Sequence, residues 1–157
     1  MDYSDDLEMY KKIRLLLVDD EERFRSTLVK RLSEKGFDPK DAPGGIEALQ
    51  MIRNSEFDIV VLDIKMPEMD GIETLGQIKK ISPDTEVILL TGHANVESAV
   101  EGMRLGAYDY LMKPCELEQL LEKISAAYAV KTQREEKRVS DKVKKDMEHW
   151  QKHWYRS

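Results

Sequence analysis

The chain has 157 residues, 41% of them apolar and 36% charged, with a formal net charge of −6, a size that fits one domain with some chain to spare. The single cysteine, Cys115, excludes an internal disulfide and a cysteine-based metal site, and no run of 18 apolar residues is present to make a membrane span. Charge is uneven: residues 131–157 hold nine Lys/Arg against five Asp/Glu, a net of +4 that leaves the rest at −10, so direct nucleic-acid binding by the body is not expected.

Residues 1–12 are polar and acidic, lack the apolar stretch of a signal peptide, and read as a flexible leader to a cytoplasmic protein. Residues 13–18 form a short apolar run interrupted only by Arg14, as expected of a strand covered on both faces. Phe24, Leu28 and Leu32 recur at helical spacing across 21–35, and Gly36 follows as a left-handed cap. Residues 37–42 are a weak strand containing Pro39, which lacks a donor and belongs at a sheet edge. After Pro43-Gly44-Gly45, a helix carries Ile46, Leu49 and Ile52.

Residues 59–63 make the strongest strand, and the loop after it contains the turn signals Met66-Pro67 and Asp70-Gly71. Ile72, Leu75 and Ile78 mark the next helix, 86–91 the next strand, and Val96, Ala99, Val100 and Met103 a further helix ending near Gly106. Residues 108–112 form the last strand, stopped by Lys113-Pro114, and a final helix begins near Glu116 with Leu117, Leu120, Leu121 and Ile124. Five successive β-then-α units predict a doubly wound, five-stranded parallel sheet with helices on both faces. The order 2-1-3-4-5 puts the Pro39 strand at an edge and the switch point between the first and third strands.

That topology gathers Asp19-Asp20, Asp63, Thr91 and Lys113 beyond the carboxyl ends of four strands, where open α/β sheets bind ligands. Unmetalled, three clustered carboxylates repel, at roughly 1 kcal/mol per pair in bulk water and about 4 at an effective dielectric near 20. Mg²⁺ accepts such oxygens and keeps several waters. Asp63, ending the central strand, is best placed to attack phosphorus and become an aspartyl-phosphate. Lys113 and Thr91 can neutralise or bond the remaining phosphoryl oxygens. Any one of these residues alone reads as a turn or cap residue; the conjunction at four strand ends carries the inference.

Leu17-Val18-Asp19-Asp20-Glu21, the segment from Val61 through Asp63-Ile64-Lys65-Met66-Pro67 to Asp70-Gly71, Leu90-Thr91-Gly92-His93, and Gly106-Ala107 through Tyr110 to Lys113-Pro114 together resemble a response-regulator receiver domain of the CheY-like (flavodoxin-like) superfamily. The resemblance covers residues 13–130. It implies that Asp63 is the phosphoacceptor, supplied by a sensor histidine kinase or phosphotransfer protein, and that Asp19, Asp20, Asp63 and the Lys65 backbone carbonyl hold Mg²⁺. It also implies that Thr91 and Lys113 bind the phosphoryl group, that Lys113-Pro114 is a cis peptide, and that Tyr110 is a switch aromatic. Lys65 and His93 stand where receiver side chains tune the lifetime of the phosphate. Cys115 replaces a larger apolar residue common in receivers and reads as packing.

Residues 131–138 read as a polar linker or an exposed helix, followed to 157 by an amphipathic helical tail that extends the last helix. Val139, Val143, Met147, Trp150 and Trp154 form its apolar stripe, with 11-residue spacings that fit a nearly straight path. The stripe serves a partner, or a homodimer made with the last strand and helix, or it folds back on the body. The expected function is a switch without enzymatic turnover on other molecules. Three alternatives remain: a receiver fragment of a longer transcriptional regulator, an aspartyl-phosphate phosphohydrolase, or a scaffold whose phosphorylation is vestigial. The phosphohydrolase pattern has a second Asp two residues after the nucleophile, where Lys65 stands.

Overall fold

A computed structural model describes residues 3–92 and 96–154. In chain order its elements are α1 (Tyr3–Lys12), β1 (Leu15–Val18), α2 (Glu22–Glu34), β2 (Lys40–Ala42), α3 (Gly45–Asn54), β3 (Ile59–Leu62), α4 (Gly71–Ile81), β4 (Glu86–Thr91), α5 (Val96–Arg104), β5 (Asp109–Met112) and α6 (Leu117–Trp154). All strand pairs are parallel and the order is β2-β1-β3-β4-β5, as the alternation and Pro39 predict.

The strands alternate their side chains between two apolar layers. Leu16, Val18, Val60, Leu62, Val87 and Leu89 pack with α3 and α4 residues such as Leu49, Ile52, Leu75 and Ile78. Leu15, Leu17, Ile59, Val61, Ile88 and Leu90 pack on the other face with Leu32 of α2 and Leu120, Ile124 and Ala127 of α6. The central strands β1, β3 and β4 are buried throughout, which is why their sequences are continuous apolar runs rather than alternating ones. Gly36 has φ +109 and closes α2, as its cap position requires.

Two expectations are corrected. Residues 3–12 are not a flexible leader but a helix with Asp5 and Asp6 in its first turn and Lys11 and Lys12 in its last, the arrangement that suits the helix dipole. Its Tyr10 ring stacks on Phe37 at 4.4 Å, so the segment gains a tertiary anchor that its polar composition hid. Of the two readings of residues 131–138 the linker is the one corrected, because α6 runs unbroken from Leu117 to Trp154.

Ionic contacts at the amino-terminal edge of the sheet hold that extension. Lys131, 4% exposed, donates to Asp58, 3% exposed, at 2.9 Å. Arg14 binds Asp58 through its backbone N–H and its guanidinium, with contacts of 2.8–3.1 Å. One helical turn further, Arg134 donates to Glu86 at 2.7 Å, and Arg138 pairs with Asp84. Burial disfavours the Asp58 anion, but hydrogen bonds from Arg14 and Lys131 outweigh it and hold its pKa below the ordinary carboxylate value. Burial likewise opposes charge on Lys131, and Glu135 and Asp58 more than offset it.

Breaking this buried pair from one side leaves an uncompensated charge. Asp58→Ala is expected to lower unfolding stability by about 3–5 kcal/mol in urea titrations at pH 7, and the double replacement of Asp58 and Lys131 by leucine to lose much less. Because the folded pKa of Asp58 is depressed, its contribution is present above about pH 4 and is lost as pH falls through the folded value.

Candidate functional site

Four strand ends deliver the expected side chains to one place. Asp19 directly follows β1, Asp63 follows β3, Thr91 ends β4 and Lys113 follows β5. The ladder continues past its last strand residues, with Asp63 N donating to Val18 O at 2.9 Å and Lys113 N donating to Thr91 O at 2.8 Å. Backbone pairing therefore places Asp63 beside β1 and Lys113 beside Thr91. Asp19 and Asp63 are each 5% exposed and Thr91 3%, whereas Asp20 is exposed.

One oxygen from each of Asp19, Asp20 and Asp63 can be chosen so that all three lie within 4.8 Å of one another. Lys113 Nζ donates to Asp19 Oδ2 at 2.6 Å and stands 3.7 Å from Glu21 Oε1 and 3.9 Å from Asp63 Oδ2. The same ammonium lies 3.9 Å from the centroid of the Phe24 ring, a cation–π contact that helps position it. Asp63 Oδ1 accepts from Lys65 N at 3.3 Å, and Asp19 Oδ1 from Glu21 N at 2.9 Å. Arg25 Nη1 donates to the Asp19 carbonyl at 2.6 Å while its Nε binds Asp41 at 2.7 Å, tying the β1 end to α2 and β2.

A cleft of about 450 Å³ opens above these groups, lined by Asp20, Glu21, Asp63, Lys65, Met66, Pro67 and Gly92. Asp63 has a pKa raised to about 6: burial is the main cause, the neighbouring Asp19 and Asp20 charges add to it, and Lys113 and the Lys65 N–H oppose it. The donor set fits a small hard cation, since all three side chains offer oxygen and their charge is only partly balanced by one ammonium.

Lys65 lines the cleft with an exposed side chain. Tyr110 does not line it; its side chain is 43% exposed on β5. His93 lies outside the described residues. Lys113-Pro114 is cis, as the resemblance implies.

The sequence reading missed three contributors. Glu21 and Phe24 flank Lys113, and only the fold reveals that they do. Gly71 was legible only as half of a turn signal. A Cβ there would lie 2.2 Å from Asp63 O and 2.5 Å from Ile64 Cα, so the start of α4 can approach the end of β3 only with glycine. Asp70 caps that helix, accepting from Glu73 N at 2.8 Å.

Two outcomes follow from this geometry. With the folded pKa of Asp63 above its unfolded value, the native state is favoured below about pH 4 and loses that advantage as pH rises through 6. Asp63→Asn is therefore expected to stabilise the metal-free protein by up to about 3 kcal/mol at pH 7.5 in urea unfolding, with the gain vanishing below about pH 4. Gly71→Ala is expected to cost about 1–3 kcal/mol in the same assay, because backbone rather than a flexible side chain must move.

Comparison with known proteins gives the family. The model of the response regulator receiver domain matches residues 15–125. The chain is 43% identical to the regulatory protein AtoC of Escherichia coli (strain K12) over 107 residues, which are 68% of this chain and 23% of AtoC. It is 40% identical to the response regulator MprA of Mycobacterium sp. (strain KMS) over 114 residues, 73% of this chain and 50% of MprA. The chain thus spans half or less of these curated relatives. Among solved structures it is similar to a CheY-like receiver domain protein from Methanospirillum hungatei JF-1, with a TM-score of 0.75 and 33% identity over 78% of this chain and 98% of that one. The receiver domain of NtrX from Brucella abortus gives a TM-score of 0.70 and 34% identity, covering 73% and 98%. With strand order, clustered carboxylates and family match in agreement, the chain belongs to the response regulator receiver domain family of two-component signalling.

Proposed function

We propose that this chain is a phosphorylation-controlled switch, with residues 13–130 as the unit that accepts phosphate on Asp63. The observation that carries the reading is the one ammonium, Lys113, held within 4 Å of both Asp19 and Asp63 beside a third carboxylate. Asp19, Asp20 and Asp63, with the Lys65 main-chain carbonyl, would hold Mg²⁺, which supplies positive charge to the phosphoryl oxygens when bound.

An Asp63 oxygen attacks phosphorus of a phosphohistidine on a sensor kinase or phosphotransfer protein. The new P–O bond forms as the P–N bond breaks, and the departing imidazole takes up a proton. Lys113 moves its contact from Asp19 toward the new phosphoryl oxygen, a shift its 3.9 Å separation from Asp63 makes short. The Thr91 hydroxyl turns to another oxygen, and Tyr110 moves from its exposed position toward the space Thr91 leaves. Charge-assisted contacts of this kind are of suitable strength to bias a two-state switch. The face of β5 and α6 is the surface so altered, and a homodimer or a downstream protein is its reader. Lys65 and His93 tune how long the phosphate persists. A cytoplasmic site of action goes with a kinase that draws on ATP.

The second reading, a receiver belonging to a longer regulator, is favoured by the short share of AtoC and MprA that the chain spans. The two readings share the same chemistry at Asp63.

Incubation with acetyl phosphate and Mg²⁺ is expected to add one phosphoryl group at Asp63 by intact-mass and peptide analysis, with none in Asp63→Asn or in excess EDTA. Lys113→Ala is expected to slow uptake about tenfold or more, the loss of one charge-assisted contact. Equal labelling of Asp63→Asn would overturn the assignment, and many turnovers on a phosphomonoester would favour a phosphohydrolase.

A further inference from the structure

The apolar stripe of α6 has a fixed bearing. Val139, Val143, Met147, Trp150 and Trp154 are all at least half exposed, from 50% at Val143 to 77% at Trp154. The same helix docks on the body through Leu120, Ile124, Ala127 and Lys131, and its ionic contacts continue to Arg134 and Arg138. At about 100° of rotation per residue, the stripe centres on a face about 140° around the helix from the docked residues. While those ion pairs hold, the chain's own body cannot cover it.

We propose that the stripe is a self-association surface on which a second copy of this chain lies antiparallel. Side-chain size runs along the stripe from two valines through one methionine to two tryptophans. An antiparallel pair with its two-fold axis at Met147 sets Trp154 against the partner's Val139, Trp150 against the partner's Val143, and Met147 against its own counterpart. Large meets small at the outer levels and methionine meets methionine at the centre, so the summed side-chain volume stays nearly even along the pair, as close packing requires. A parallel pair in register sets tryptophan on tryptophan at one end and leaves valine facing valine across a gap at the other.

The contact runs about 22 Å along the helix, the length of its 15 residue steps. Burying the exposed parts of the five side chains on both copies removes about 1,200 Å² from water, the lower bound of stable interfaces, with two aromatic anchors per copy. The pairing is independent of the phosphoacceptor chemistry and leaves the two bodies at opposite ends of the helix pair.

Sedimentation of the full 157-residue chain over a range of concentrations tests this. A monomer–dimer equilibrium is expected, weakened about 100-fold or more when Trp150→Ala and Trp154→Ala are combined, with the circular dichroism and thermal unfolding of the body retained. Orientation is read in a Cys115→Ser background: a mixture of Val139→Cys and Trp154→Cys chains is expected to give the mixed disulfide on mild oxidation, and either chain alone little. A monomer at every concentration, a dimer indifferent to the tryptophan replacements, or self-linked Val139→Cys as the main product would each overturn the proposal.

Discussion

Lys113 Nζ sits 2.6 Å from Asp19 and 3.9 Å from Asp63, and the rest of the site is organised around keeping it there. Two nearly buried carboxylates and a third at the surface share a few ångströms at the carboxyl edge of the sheet. Their mutual repulsion, several kcal/mol at the dielectric of a protein interior, is only partly offset by one ammonium. Burial chiefly, with the charges of Asp19 and Asp20 adding to it against Lys113, raises the pKa of Asp63. An anionic pocket that remains undercompensated attracts a hard cation, and a cation there makes a dianionic phosphoryl group tolerable beside carboxylates. The Phe24 ring beneath Lys113 and the bond from Lys113 N to Thr91 O hold the ammonium in reach of both Asp19 and Asp63.

Charge solves a different problem at the opposite edge. Asp58 and Lys131 form a compact buried pair joined by the half-exposed Arg14, followed outward by the pairs of Arg134 and Arg138. Apolar packing alone would release α6 after Ala127, where its last fully buried apolar side chain lies. The ionic contacts carry the helix a further three turns against the body, so the tail leaves with a set direction. A buried ion pair contributes little net stability but penalises any geometry that leaves a charge unpaired. That is the property needed to fix the bearing of a helix. The carboxyl edge gathers the clustered carboxylates and their ammonium, and the amino-terminal edge orients the helix.

Much of this was legible along the chain. The central strands β1, β3 and β4 read as apolar runs because each is covered on both faces, and Pro39, just before β2, marked the edge because a missing donor is a local property. Asp19, Asp20, Asp63, Thr91 and Lys113 could be picked out because each directly ends or follows such a run, and parallel pairing brings strand ends together. Glu21 and Phe24 carried no comparable signal, since acidic and aromatic residues in the first turns of a helix are common. The helix at Tyr3–Lys12 was hidden for the same reason: its composition is that of a solvated segment, and what anchors it is the Tyr10–Phe37 stack, 27 residues apart in sequence.

Local order along the chain determined the fold class, the strand order and the chemistry at the strand ends, because side-chain periodicity and backbone donors act over a few residues. Tertiary structure alone decided that Lys131 is buried against Asp58, 73 residues away, and that Gly71 must lack a side chain. It alone decided that the tryptophan stripe faces away from the body. Each depends on a distance between parts of the chain that no periodicity relates, and the free energy of such contacts comes from desolvation and charge pairing that exist only once the sheet and its helices are assembled.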